Sequence, residues 1–174
     1  EDRQGRIWAG GDTGTLYCIT DGGVEAFRPE DAFGGHAIWS LWADADGTLW
    51  VGTFRGGLLR FREGRFFRFS KAQGLADNVV AQILADEQGY LWLGTHRGVL
   101  RVARTELTAV AAAAKSTLAV NVFGRSDGLP SLECSGGYQP AAWRSRDGRL
   151  WFTTLRGIVS VQPETLRLNP LPPR

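Results

Sequence analysis

Four ten-residue segments align without a gap along this chain: GRIWAGGDTG at 5–14, GTLWVGTFRG at 47–56, GYLWLGTHRG at 89–98 and GRLWFTTLRG at 148–157. Their tryptophans, Trp8, Trp50, Trp92 and Trp151, are spaced by 42, 42 and 59 residues. A period of about 40–45 residues is the length of a four-stranded propeller blade. The second repeat reads as four strands, at 38–45, 48–54, 57–63 and 65–70, here termed A to D. Asp46-Gly47 and Asp147-Gly148 supply the A-to-B turns, and Glu63-Gly64 turns C into D. Arg55-Gly56, Arg97-Gly98 and Arg156-Gly157 turn B into C. In strand B of the second repeat, Trp50 and Gly52 alternate with Leu49, Val51 and Thr53, so one face packs aromatics and the other aliphatics. Trp50 and Trp92 are therefore expected to be equivalent core residues. A helical reading fails, because glycine and β-branched residues interrupt it every few positions.

The fold class read from this pattern is all-β: about four four-stranded antiparallel blades, part of a larger propeller, with one short inserted helix. That helix is expected within 105–116, whose alanine run favours it, with Thr105 as N-cap. The first repeat lacks its strand A, and a cut propeller leaves open blade faces, so this repeat should expose apolar surface, Trp8 or Leu16 included, or bury it against another copy of the chain. The blades span 1–168, and the proline-rich 169–174 is expected to lead to a following domain. With no methionine anywhere, the chain reads as an excised piece.

Composition narrows the function classes. The formal charge is only +2 and the arginines are scattered singly, without the basic stripe of a nucleic-acid surface. No run approaches the ~18 apolar residues that cross a bilayer, so this segment is not expected to insert into a membrane. Cys18 and Cys134 have no C-x-x-C spacing and read as buried thiols, with a disulfide left open. His36 and His96 lack a second ligand at metal spacing, and no G-x-S-x-G elbow occurs. DADGTLW from Asp44 resembles the start of a calcium loop, but its glycine comes too early and Arg55 stands where a glutamate belongs. It reads as a turn. No metal or cofactor is expected.

The stretches GLADNVVAQILADEQGYLWLGTHRGVLRV and SDGLPSLECSGGYQPAAWRSRDGRLWFTTLRGIVSVQPETLRLNPLPP resemble the two-component regulator propeller repeat. That family forms the sensor portions of bacterial hybrid histidine kinases and related regulators. The resemblance implies a non-catalytic, periplasmic or extracytoplasmic module that recognises a polar ligand such as a saccharide and relays the signal to adjacent domains. It also implies about seven blades, so further blades or a second copy of the chain are expected partners. Two rival readings are a propeller lyase or hydrolase, using carboxylates such as Glu133 and Asp127, and a purely structural interaction propeller.

Strand alternation places the D-to-A and B-to-C connections at one end, around the channel mouth. That end collects the candidate ligand-binding residues Arg55, Asp77, Asn78, His96, Arg97, Glu133, Tyr138 and Arg156, with His36, Ser135 and Gln139 nearby. Asp46, Glu63 and Asp147 belong at the opposite end. Arginine forks, an amide and an aromatic suit an oriented polar ligand. Recurrence at equivalent positions favours a scaffold role for the arginines instead, bridging blades through backbone carbonyls.

Overall fold

The computed structural model describes residues 1–28, 35–138 and 140–166. Four antiparallel sheets follow one another along it, each a meander in which neighbours in sequence pair in space. The first holds β1 (Ile7–Gly10), β2 (Leu16–Thr20) and β3 (Gly23–Phe27). The second holds β4 (Ile38–Ala43), β5 (Leu49–Thr53), β6 (Leu58–Arg62) and β7 (Arg65–Phe69). The third comprises β8 (Gln82–Ala85), β9 (Tyr90–Thr95), β10 (Gly98–Ala103) and β11 (Val120–Phe123). The fourth comprises β12 (Ala142–Arg144), β13 (Leu150–Thr154) and β14 (Gly157–Val161).

These are propeller blades. The first begins at strand B, as the repeat boundaries require. The fourth departs from the expected four strands: no strand D follows β14 among the described residues. Its chain enters a 3-10 turn, Pro163–Thr165, with a buried Pro163 at the first position. Proline lacks the N–H a ladder needs and ends the strand there. The proline-rich exit at 169–174 lies outside the described residues.

Side-chain alternation turns each blade into a two-faced slab, and three inter-blade cores result. Trp8 and Phe27 of the first blade pack against Leu49, Val51, Leu59 and Phe61 of the second. Trp50, Leu58 and Phe69 of the second meet Leu91, Leu93, Leu100 and Val102 of the third. Trp92 and Val99 of the third meet Leu150 and Phe152 of the fourth. The tryptophan face of each of the first three blades thus meets the aliphatic face of the next. Gly52 is required by this approach, since a Cβ there would lie 2.6 Å from the Val80 carbonyl oxygen of the third blade.

Among the described residues, the outer faces of the two end blades have no neighbouring blade. Leu16 is fully buried and Trp8 half-buried, contrary to expectation, because both point toward the second blade. The exposed residues are Ile7, Ile19 and Val24, which are cross-strand neighbours on the other face. At the far end Trp143, Trp151 and Ile158 are exposed.

The inserted helix is α1 (Arg104–Ala111), shorter than the alanine run suggested. Its N-cap is Ala103, which makes no side-chain cap, and Thr105 lies inside the helix. The chain passes directly from β10 into α1, leaving no room for a separate cap. Leu107 and Val110 dock into the core between the second and third blades. Beyond Val110 no buried residue follows in the run; Ala113 turns to φ +58 and Ala114 folds back onto the Ala109 carbonyl. Burial, not propensity, sets the length of so short a helix.

An aspartate six residues before three of the four repeat tryptophans does work that its sequence context did not reveal. Asp2, Asp44 and Asp86 accept the indole N–H of Trp8, Trp50 and Trp92 at 2.8, 2.7 and 2.8 Å. Ser145 takes this place for Trp151, at 3.0 Å. The Asp44 turn is therefore a bracket between strands A and B. Asp2 also accepts from the backbone of Gln4 and Arg6 and from Arg6 Nε. Burial opposes its charge, but the hydrogen bonds from Trp8 and Arg6 outweigh it and hold its pKa down to about 2, against an ordinary 3.8. A depressed folded-state pKa means that the Asp2 charge stabilises the first blade above pH 3.8 and ceases to do so as pH falls through about 2. The stability gap between the natural chain and Asp2→Asn should therefore narrow from about pH 4 to about pH 2 in acid titrations of unfolding. A gap independent of pH would show that the carboxylate charge contributes nothing.

Candidate ligand-binding site

Backbone hydrogen bonds join D-to-A connections to B-to-C turns, within a blade or to the blade next to it, so these share an end. Phe54 N donates to the Ala37 carbonyl at 2.9 Å, Gly57 N to Asn78 at 2.7 Å, Gly98 N to Leu132 at 2.8 Å and Leu155 N to Glu133 at 3.1 Å. The loops are thereby held as one rim.

Two predicted site residues are absorbed by this rim. The Asp77 carboxylate accepts the backbone N–H of His96 at 3.0 Å and of Val79 at 3.3 Å. The Asn78 side-chain oxygen accepts the N–H of Lys71 at 2.8 Å. Both brace the loop after β7.

Among the described residues, the recurring arginines do not bridge blades through carbonyls. Arg55, Arg97 and Arg156 are exposed, and Arg55 stacks its guanidinium 4.8 Å from the centre of the Phe54 ring. The B-to-C turns are closed by another recurring residue. The hydroxyls of Thr53, Thr95 and Thr154 donate to the carbonyls of Gly57, Gly98 and Gly157 at 2.8, 2.7 and 2.9 Å. Thr95 and Thr154 also accept the N–H of Arg97 and Arg156. With the turn closed by threonine, the arginine heads point into solvent. The guanidinium that does bond a rim carbonyl is that of Arg68, whose Nε reaches Gly56 at 2.7 Å.

The structure gathers His96 and Glu133, 3.8 Å apart between Nε2 and Oε1 and both partly exposed. Beside them lies an aromatic group that the repeat pattern did not reveal. The Trp39 ring stacks on Phe54 at 4.5 Å, and the His96 ring lies 6.1 Å from Trp39 and 6.3 Å from Phe54. Trp39 sits at an irregularity in the β4–β5 register between Ile38 and Ser40. Gly136 accommodates its ring, since a Cβ there would stand 2.5 Å from Trp39 Cε3. Tyr138 is exposed, with its hydroxyl 3.5 Å from Thr153 Oγ1. Gln139 lies outside the described residues. Gln82 ties the third blade to the fourth, its amide donating to the carbonyls of Ser135 and Thr153 at 2.7 and 3.0 Å.

At the other end, Asp46 pairs with Arg62 at 3.2 Å, and Asp147 accepts the N–H of Arg149. Cys18 and Cys134 are both free and buried, and burial pushes the Cys134 thiol up to about 11. It stays protonated and inert.

Residues 74–97 match the two-component regulator propeller family, so the chain carries that repeat across the loop after β7 and through β9. No curated protein matches the sequence. The extracellular domain of the hybrid two-component system BT3049 from B. thetaiotaomicron superposes with a TM-score of 0.75 at 19% identity, covering 94% of this chain and 21% of that one. The extracellular domain of the hybrid system BT4673 from the same organism gives 0.74 at 20% identity, over 95% and 23%. Virginiamycin B lyase from Staphylococcus aureus gives 0.64 at 13% identity, over 93% and 50%. At these identities the likeness establishes the propeller fold. This chain spans about a fifth of the length of the two extracellular domains it matches.

Proposed function

We propose that this chain, bearer of a two-component regulator propeller repeat, is part of an extracytoplasmic sensor propeller that binds a polar ligand, a saccharide or an acidic saccharide, at its mouth. The observation that carries this reading is the grouping of Trp39, Phe54 and His96 beside the guanidinium of Arg55 and the carboxylate of Glu133. Apolar ring faces with a few convergent polar heads are what a sugar requires: stacking for its C–H face and forks for its hydroxyls or carboxylate. The exposed Arg97 and Arg156 extend the positive side of the rim. A relayed signal follows if ligand contacts on different blades alter how the blades pack, with the relay itself lying in domains outside this chain. The two open apolar faces fit further blades or a second copy.

The lyase or hydrolase reading gains less support. Asp127, its candidate second carboxylate, accepts the N–H of Gly124 at 2.8 Å and lines a cavity between the third and fourth blades. Its carboxylate is engaged with loop backbone there, whereas the Glu133 carboxylate faces His96.

The test is titration of the chain with neutral and acidic oligosaccharides, followed by calorimetry. Arg97→Ala should weaken acidic-sugar binding about tenfold while leaving the denaturation midpoint nearly unchanged, as loss of one exposed charge-assisted contact. Trp39→Ala should weaken neutral and acidic sugars alike. Binding untouched by both variants, or sugar cleavage by the chain, would overturn the proposal.

A further inference from the structure

We propose that residues 136–138 form a strap that closes the ligand seat: it lies on the face of Trp39 that a sugar must take, and binding displaces it. The proposal rests on the reading of Trp39 as part of that seat. One face of the indole is covered by Phe54, whose ring centre lies 4.5 Å away at an interplanar angle of 25°. The strap belongs to the connection between the third and fourth blades, yet it reaches back past Ala81 to the second blade. A Cβ on Gly136 would stand 2.5 Å from Trp39 Cε3 and 2.8 Å from Ala81 Cβ. One on Gly137 would stand 3.6 Å from Trp39 Cε2 and 3.9 Å from Cζ2. These contacts fall on opposite sides of the indole benzo ring, so the strap spans it on the face that Phe54 leaves. With both faces taken, no sugar ring stacks on Trp39 in this form.

The strap is fixed at its root and lightly held beyond it. Cys134 N donates to the Thr95 carbonyl of the third blade at 2.9 Å, and Ser135 N to Thr153 of the fourth at 3.0 Å. Among the described residues, Gly136 and Gly137 make no backbone–backbone hydrogen bond, and Gly137 and Tyr138 are exposed. Segments of this kind open at low free-energy cost. Tyr138 returns the strap to the fourth blade, its hydroxyl 3.5 Å from Thr153 Oγ1. Thr153 stands where the first three repeats have Gly10, Gly52 and Gly94. Its hydroxyl donates to the Ala141 carbonyl at 2.8 Å and accepts from the Gln82 amide of the third blade at 3.0 Å. Lifting the strap therefore withdraws Tyr138 from a hydroxyl that helps to hold the third blade to the fourth. An occupied seat on the second blade is in this way registered two blades on.

Gly136→Ala holds the strap off the ring, because its methyl group has no room between Trp39 and Ala81. The probe is the tightest-binding of the neutral and acidic oligosaccharides titrated above. Gly136→Ala should bind it at least about threefold more tightly than the natural chain, since the closed form no longer competes. In the natural chain, saturation with the same sugar should speed hydrogen exchange of the Gly137 amide about tenfold and leave that of Cys134 unchanged. This second measurement decides the matter even where the variant fails to fold. Slower exchange at Gly137 would show the strap closing over the sugar, and unchanged exchange would show it standing still; either result overturns the proposal. So does binding by Gly136→Ala no tighter than that of the natural chain, in which case the sugar reading stands and the strap is part of the seat. Sugar bound by neither form would sink the sugar reading itself, and the role of the strap with it.

Discussion

Trp92→Ala is expected to cost about 3–5 kcal/mol of stability, and Trp50→Ala about the same, by loss of buried surface and creation of a cavity between two blades. Trp92 is 1% and Trp50 2% exposed. Each ring has an aromatic neighbour, Phe123 at 5.4 Å and Phe69 at 6.1 Å, and each indole N–H is bonded to an aspartate. Truncation removes the ring and takes a donor from that carboxylate. Trp151 stands at the same point of the repeat but is 39% exposed, on a face with no following blade. Trp151→Ala should therefore cost about 1 kcal/mol or less, as surface substitutions generally do. Denaturant unfolding of the three variants checks the ordering. Equal losses at all three positions would mean that the repeat, and not the stacking of a next blade, stabilises the rings.

The second large effect is expected at Asp86. Its side chain is 3% exposed and accepts the Trp92 indole, the backbone N–H groups of Gln88 and Tyr90, and the field of Arg101, whose Nε lies 3.8 Å away. The Arg101 side chain is itself only 7% exposed, stacked 3.6 Å from the Tyr90 ring centre and bonded to Gln88 Oε1 at 2.8 Å. Asp86→Ala leaves that cation buried without its counter-charge and should cost about 3–5 kcal/mol. Asp86→Ser should cost less, because Ser145 fulfils the indole-bonding role in the fourth blade, where Ser160 replaces the arginine. Pairing Asp86→Ala with Arg101→Leu should recover part of the loss, and the double-mutant cycle measures the coupling. A loss below about 1 kcal/mol for Asp86→Ala would show that water substitutes for the carboxylate.

Much of this architecture was legible in the repeat itself. Blade number, the B-strand tryptophans, the two-faced alternation and the shared end of the D-to-A and B-to-C loops all follow from a period of 42 and a strand period of two. The helix was legible in existence and not in extent, because its length depends on where Leu107 and Val110 find a core. The candidate site was half legible. His96 and Glu133 do meet, whereas Asp77 and Asn78 are spent on loop backbone. Trp39 carried no signal, since the third repeat has Ala81 at its position and nothing in the motif marks it.

The sequence by itself determined what each blade is, because strand alternation and turn chemistry act between residues a few positions apart. Only the tertiary structure decided what each copy of the motif does. Trp92 and Trp151 share their local context, yet one lies in a core and the other on a surface. Asp86 and Ser145 hold the same bond, yet only one faces a buried arginine. Trp39, Phe54, His96 and Glu133 come together from the second blade, the third blade and the connection between the third and fourth. Burial and the electrostatics that follow from it depend on what packs opposite, and in a stacked repeat the opposing residues come from the next copy, some forty positions away.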